Sequence, residues 1–447
     1  MLKAYSVKSI LLAFVLAAGS AFAQNPFITN QYTADPSARV FGDRIYVYAS
    51  HDIPPIAGKT RPGWFAMEDY HVFSSDNLVD WKDHGLILSQ TTVPWVKPDG
   101  YSMWAPDCVE RDGKYYFYFP SIPKDTSRRG FKIGVAIADS PTGPFVPQAS
   151  AIEKVNGIDP NVFVDKDGQA YLYWSQGEIY GAKLKANMLE LDSEPVILEQ
   201  LPSKGLKEGP FVFERNGIYY MTYPHVENKI ERLEYATSKS PLGPFKVAGV
   251  IMDESPVGCW TNHHSITPFK NQWYLFYHSN DLSPGFDKNR SVRVDSLSFN
   301  TDGTIRKVVP TFRGVGLIKA TSKIQIDRYS AISEKATTIG FLDTADKFKG
   351  WKTTFSGPDS WLRYNKIDFG TQSPSELEIR VKSKFGGTLE FHIGSANGPI
   401  ISTVKVPQTP SWSLKKTKVS LPKTGIQDLI IRLKDGNDVE VDWVSFN

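Results

Sequence analysis

The chain has 447 residues, more than one compact core usually holds, so two domains are expected. Its 51 basic and 48 acidic residues nearly cancel, which leaves no electrostatic case for nucleic acid and suits a neutral or weakly charged substrate. An aromatic content of 13%, with 34 Gly and 30 Pro, points to a β-rich protein with many turns.

Residues 1–23 read as a secretory signal. Lys3 and Lys8 supply the basic start, Ile10 to Ala18 a short apolar run, and Ala21-Phe22-Ala23 a small-x-small cleavage site before Gln24. That run is too short to span a bilayer and no later stretch qualifies, so the expected mature protein is secreted or periplasmic, with no membrane contact once the signal is cleaved. Cys108 and Cys259 lack metal-ligand spacing; in an exported protein they could pair, but their places in non-adjacent repeats favour two buried free thiols.

From residue 24 a hairpin signature recurs, a turn followed by alternating aromatics. It appears as Gly42-Asp43-Arg44-Ile45-Tyr46, Gly113-Lys114-Tyr115-Tyr116, Gly168-Gln169-Ala170-Tyr171, Gly217-Ile218-Tyr219-Tyr220 and Asn271-Gln272-Trp273-Tyr274. A second hairpin is expected in each unit. Two of these end in the near-identical hexapeptides Ser140-Pro141-Thr142-Gly143-Pro144-Phe145 and Ser240-Pro241-Leu242-Gly243-Pro244-Phe245, and a third in the turn Thr301-Asp302-Gly303. Four strands per unit at a period near ~50 residues predict an all-β fold, a five-bladed β-propeller over 24–317. After Gly316 the signature stops. Fresh alternating runs such as Leu377-Glu378-Ile379-Arg380-Val381 predict a β-sandwich over 318–447, joined without a long linker.

Several units open on a carboxylate beside a proline: Asp35-Pro36, Pro106-Asp107, Asp159-Pro160 and Glu208-Gly209-Pro210. Singly each is a turn. At matching phases of successive blades, Asp35, Asp159 and Glu208 are expected to converge at one mouth of the central channel. Glycosidic hydrolysis needs such a set, one carboxylic acid to protonate the leaving oxygen and one carboxylate to act on water or carbon. A third carboxylate nearby raises the acid's pKa.

The ordered set Ala34-Asp35-Pro36-Ser37, Trp104-Ala105-Pro106-Asp107, Asp159-Pro160-Asn161, Lys207-Glu208-Gly209-Pro210 and Asn262-His263-His264-Ser265 resembles glycoside hydrolase family 43, of the arabinofuranosidase/xylosidase type. The resemblance implies an inverting mechanism with Asp35 as general base, Glu208 as general acid and Asp159 tuning and positioning that acid. It implies His263 at the channel axis near a structural calcium ion or water cluster, with no metal required for the chemistry. A histidine pair can equally be a satisfied polar core, and His264 is carried with the substrate-binding candidates. Arg290 matches an arginine that binds sugar hydroxyls; the alternative is a solvated strand-edge charge. Trp104 is either a platform for a sugar face or a packing residue, and Phe65, with Trp64, is expected to wall the pocket. The segments Trp361-Leu362-Arg363-Tyr364, Thr409-Pro410-Ser411-Trp412 and Asp442-Trp443-Val444-Ser445-Phe446 resemble carbohydrate-binding module family 6. Glu440 and Leu414-Lys415 depart from the family's sugar-binding pattern, so either sugar binding or packing on the propeller is expected of this domain.

Together these imply an exo-acting hydrolase releasing α-L-arabinofuranosyl groups from plant cell-wall polysaccharide. β-D-Xylosidase and β-galactosidase activity, or a propeller that only binds carbohydrate, are the alternatives.

Overall fold

A computed structural model describes residues 24–447 apart from Thr126, Arg128, Arg129 and Asp359, so the expected signal segment lies outside the described residues. β1 (Ala34–Phe41), β2 (Arg44–Asp52), β3 (Met67–Ser75) and β4 (Lys82–Ser89) form the first four-stranded antiparallel sheet. β5 (Asp107–Arg111), β6 (Lys114–Ser121), β7 (Lys132–Ala138) and β8 (Val146–Pro147) form the second. The third holds β9 (Ile158–Val164), β10 (Ala170–Gln176), β11 (Glu178–Lys183) and β12 (Val196–Ile197). The fourth holds β13 (Phe211–Arg215), β14 (Ile218–Val226), β15 (Glu231–Ser238) and β16 (Lys246–Met252). The fifth has three strands, β17 (His264–Phe269), β18 (Gln272–Ser279) and β19 (Ser291–Leu297). Its fourth place is taken by the start of the chain. Phe27 N–H donates to the Val292 carbonyl at 3.2 Å, and Thr33 N–H to that of Arg290 at 3.0 Å. These sheets are the blades of a five-bladed β-propeller, closed by its own N-terminal segment.

The paired aromatics of the hairpins follow from this arrangement, because a blade buries both faces of its sheet, one against each neighbour. An apolar cluster fills each seam. Tyr48, Tyr70 and Phe117 lie between blades one and two, and Tyr118, Val162 and Leu172 between two and three. Tyr173, Val212 and Met221 lie between three and four, Phe211, Ile266 and Leu275 between four and five, and Phe27, Ala38 and Phe276 between five and one. The recurring tyrosine hydroxyl donates across the seam. Tyr48 reaches the Pro141 carbonyl at 2.6 Å, Tyr173 that of Pro241 at 2.7 Å and Tyr220 that of Gly303 at 2.7 Å. The two similar hexapeptides are thus receptors for the preceding blade. Cys108 and Cys259 are buried free thiols.

Polar groups tie the inner strands around the channel. The Asp107 carboxylate accepts from Ser37 Oγ at 2.6 Å and Arg39 Nε at 2.9 Å in blade one. It also accepts from Val162 N–H at 2.7 Å and Asn161 Nδ2 at 3.1 Å in blade three. Asn161 Oδ1 passes the connection to Val212 N–H in blade four at 2.9 Å. His264 Nε2 meets Thr222 Oγ1 at 2.6 Å between blades four and five. Ser265 Oγ then bonds the Pro36 carbonyl at 2.6 Å and the Ala38 N–H at 2.9 Å, which completes the circuit.

From residue 318 onward two six-stranded sheets pack face to face as a β-sandwich, and the sole helical element among the described residues is the 3-10 turn Lys347–Lys349. Leu362, Tyr364, Ile379, Phe391, Ile431 and Phe446 are among its fully buried residues. The sandwich touches the propeller where Gln24 Nε2 donates to the Gln325 carbonyl at 3.3 Å and where Tyr32 packs on Phe348 with ring centres 5.0 Å apart.

Asn161→Ala leaves the buried Val212 N–H without its partner and removes one of the hydrogen bonds to Asp107. It is expected to lower the unfolding free energy by about 1–3 kcal/mol, measured by urea denaturation; unchanged stability contradicts the ring described above.

Candidate active site

Asp35 and Asp159 sit at the first turn of β1 and β9, each just before a proline and each in the left-handed region, with φ of 50° and 57°. Asp tolerates that region better than most residues. The strand pairing shifts register at both points, between Ala34 and Ser37 and between Tyr173 and Ser175, so each aspartate is turned out of its sheet. In blade four the same backbone position, with φ 54°, belongs to Gly209, and the acid stands one residue earlier. The acids are therefore not in strict phase, contrary to the simple repeat. The reason is space: a Cβ at Gly209 would come within 3.0 Å of His263 Nδ1 and of Pro224. The Gly209 N–H donates to Asp159 Oδ2 at 3.0 Å, which joins the backbone beside Glu208 to the blade-three acid.

Arg290, just before β19, is buried and clamps Asp35. Its Nη1 donates to Asp35 Oδ1 at 2.7 Å and its Nη2 to Oδ2 at 3.2 Å. Nε and Nη2 also bind Asp52 at 2.9 Å each, and Nη1 reaches Thr261 Oγ1 at 3.4 Å. Every guanidinium N–H is engaged within the protein, so Arg290 is neither a solvated edge charge nor a free donor for sugar hydroxyls; it fixes the Asp35 carboxylate. Asp52, which no motif marks, is fully buried as its second partner. The Asp35 N–H donates to His278 Nδ1 at 3.1 Å, so the ring hydrogen of His278 lies on Nε2, 3.0 Å from the Thr261 carbonyl. Burial pushes His278 down to about 3, which keeps it neutral.

These surroundings drive the acids apart. Burial is the largest influence and would raise Asp35, but the Arg290 guanidinium, helped by His278, His263 and a hydrogen bond from Ser50, outweighs it and holds the carboxyl below its ordinary value. Burial, then Glu208 and Asp35, push Asp159 well above the carboxylate range. Glu208 is also raised, by burial first; a hydrogen bond with the Glu231 carboxyl offsets part of this and Asp35 adds to it. The site thus pairs a carboxyl shifted toward its ionised form, suited to take a proton from water, with one shifted toward its protonated form, suited to give one.

His263 faces the acids, its Nδ1 3.9 Å from Asp159 Oδ1, and burial lowers its pKa. His264 is 1% exposed and belongs to the seam with Thr222, which removes it from the substrate-contacting set. Adjacent strand residues point to opposite sides, so only one of the two histidines can face the channel. Calcium takes six to eight oxygen ligands. Asp159 lies beside His263 and Asp35 is near enough to act on it, so side chains alone would supply only a few of those ligands and His263 would be the residue to hold such an ion. Among the described residues the group of three potential ligands within reach of one another is His51, Asp69 and His71, which does not include His263.

Aromatic rings wall the mouth. Phe65 lies under the Arg290 guanidinium at 4.7 Å, with Trp104 and Trp260 at centroid distances of 6.0 and 6.3 Å. Trp104 also packs on Phe131 at 4.5 Å. Trp260 was not marked by any motif. A cavity of about 290 Å³ adjoins Glu208, lined by Phe131, Asn156, Gln176 and Lys207 among others. In the sandwich a cavity of about 800 Å³ is lined by Trp412, Trp443, Arg380 and Lys323. There Glu440 is held by Lys352 at 2.7 Å and Lys382 at 3.0 Å.

Acids gathered at the mouth of a propeller channel are the groups that hydrolysis of a glycosidic bond requires. The profile described as Glycosyl hydrolases family 43 matches residues 23–305, and that of Carbohydrate binding module (family 6) matches residues 331–447. The chain belongs to glycosyl hydrolase family 43. It is 37% identical over 331 residues to Xylosidase/arabinosidase 43A of Humicola insolens, covering 63% of this chain and 98% of that one. It is 28% identical over 462 residues to an arabinoxylan arabinofuranohydrolase of Bacillus subtilis, covering 89% of this chain and 86% of the relative. Its fold matches a calcium-free, xylotriose-bound family 43 beta-xylosidase/alpha-arabinofuranosidase from a compost metagenome. That match has a TM-score of 0.58 and 34% identity, over 64% of this chain and 97% of that chain.

Glycosidase activity by this arrangement requires Asp35 ionised and Glu208 protonated, so it falls as pH rises through the raised Glu208 pKa. Asp159→Asn removes a carboxyl that titrates together with Glu208, and with it the negative charge that develops there as pH rises. The alkaline limb of the pH–rate profile is expected to move to lower pH, with a reduced plateau; a limb that stays put or moves upward rejects the tuning role.

Proposed function

We propose that the protein is an exported, exo-acting, inverting glycoside hydrolase that releases α-L-arabinofuranosyl residues from arabinan or arabinoxylan side chains of plant cell walls. The observation that carries this reading is the contrast between Asp35, clamped by the Arg290 guanidinium, and Glu208, whose burial among carboxyls favours its protonated form. Asp35 takes a proton from water while the water oxygen attacks the anomeric carbon. Glu208 gives its proton to the glycosidic oxygen as the carbon–oxygen bond breaks, and two new hydroxyls result. Asp159 holds the Gly209 N–H and so the segment that aims Glu208. The cavity beside Glu208 lies where a leaving group must be protonated and is the proposed seat of the aglycone.

The arabinofuranosyl reading draws support from the relative that matches across both domains, and β-D-xylosidase is the second reading because the most similar relatives above carry both names. The tryptophan-lined cavity of the sandwich supports a carbohydrate contact by that domain. No step is assigned to a metal. Export rests on the leader-like residues 1–23.

Assay of nitrophenyl glycosides is expected to give the highest kcat/KM on α-L-arabinofuranoside, and proton NMR of the first-formed sugar to show inversion. Preference for β-D-xyloside selects the second reading, and retention of configuration removes water activation by Asp35.

A further inference from the structure

Glu231 opens β15, where its N–H donates to the Trp260 carbonyl at 3.0 Å. No motif marks it, yet its side chain reaches the carboxyl of Glu208. It is 1% exposed. One oxygen, Oε2, accepts the Asn262 N–H at 2.7 Å. The other, Oε1, is buried and receives no N–H or hydroxyl from any ordinary donor. Among the described residues neither glutamate has a Lys or Arg in salt-bridge contact. The nearby Lys207 ammonium is 3.1 Å from Glu178, and Arg290 is engaged with Asp35 and Asp52. Two carboxyls can hydrogen-bond only if one carries a hydrogen between them. Oε2 already serves as the carbonyl oxygen for Asn262, which leaves Oε1 as the hydroxyl.

We propose that Glu231 is a positioning residue for the acid of this enzyme, its Oε1–H donating to the Glu208 oxygen that faces away from the sugar. The hydrogen on the other Glu208 oxygen is thereby directed at the glycosidic oxygen. In the reaction the Glu208 O–H bond breaks, a new O–H bond forms on the leaving group, and Glu231 keeps its own hydrogen throughout. The bond between the glutamates changes from neutral to charge-assisted as Glu208 becomes a carboxylate, and charge-assisted bonds are about twice as strong. It therefore stabilises the transition state more than the ground state. Burial, with Glu208 as neighbour, keeps the Glu231 carboxyl well above its ordinary range, in line with a neutral donor.

This inference rests on Glu208 being the general acid, and its test separates the two. Glu231→Ala, Glu231→Gln and Glu208→Ala are compared on a natural oligosaccharide and on the dinitrophenyl glycoside of the same sugar, whose leaving group needs no proton. Glu231→Ala is expected to lose roughly tenfold to a hundredfold in kcat on the oligosaccharide and only a few-fold on the dinitrophenyl substrate. Glu231→Gln keeps an N–H donor for Glu208 and an acceptor for Asn262, so it is expected to stay within a few-fold of the parent on both. Equal losses by Glu231→Ala on both substrates, no loss, or a Gln variant as impaired as Ala each overturn the proposal. If Glu208→Ala itself shows no dependence on the leaving group, the acid assignment falls with it. If Glu208→Ala shows that dependence and Glu231→Ala does not, only Glu231 falls.

Discussion

The closed circuit of hydrogen bonds around the channel is the constraint on which the rest depends. It runs through Asp107, Asn161, Thr222, His264 and Ser265 and joins every blade to the next. These groups are buried, so each missing bond exposes the full desolvation cost of its partner. The circuit also locates the chemistry. Ser37 and Asn161, which hold the ring, lie two residues beyond Asp35 and Asp159 on the same strands. Fixing the ring therefore fixes where both carboxyls emerge.

Within that frame the distribution of one cation decides the protonation of the site. Arg290 is placed against Asp35 and Asp52 and has no donor left for Glu208. Arg290 favours the ionised form of Asp35, while burial raises its second partner, Asp52. On the Glu208–Glu231–Asp159 side carboxyls face carboxyls, and burial and mutual repulsion favour their protonated forms. Formal charge near zero for the whole chain is compatible with this local asymmetry, because pKa values respond to contacts within several ångströms and not to composition.

The sandwich domain bears on the same region. Tyr32, packed on Phe348, is three residues before Asp35, and the Phe312 ring near the domain boundary lies under Arg293 at 4.9 Å and Arg328 at 5.9 Å. Arg328 also covers Trp351 at 3.6 Å. The segment that closes the ring thus bears on the second domain as well as on β19.

The sequence by itself determined the blades, the break after Gly316 and the three acids, because each is written in local chemistry. Burial of both faces of a blade demands paired aromatics at regular spacing. A left-handed turn before proline recurs as Asp-Pro, with Gly-Pro in its place where Glu208 precedes it. What a side chain touches across a seam has no such local record. His263 and His264 are neighbours in the chain, and only the way the start of β17 is set against blades three and four decides that one faces the acids and the other faces Thr222. Arg290 could be read as a sugar ligand until Asp52, 238 positions away, used up its donors. Glu231 begins an ordinary alternating strand and acquires a role only because blade four folds its second hairpin against Glu208. Tertiary structure decided these points because proximity, and with it desolvation and charge, depends on contacts between residues far apart in the chain.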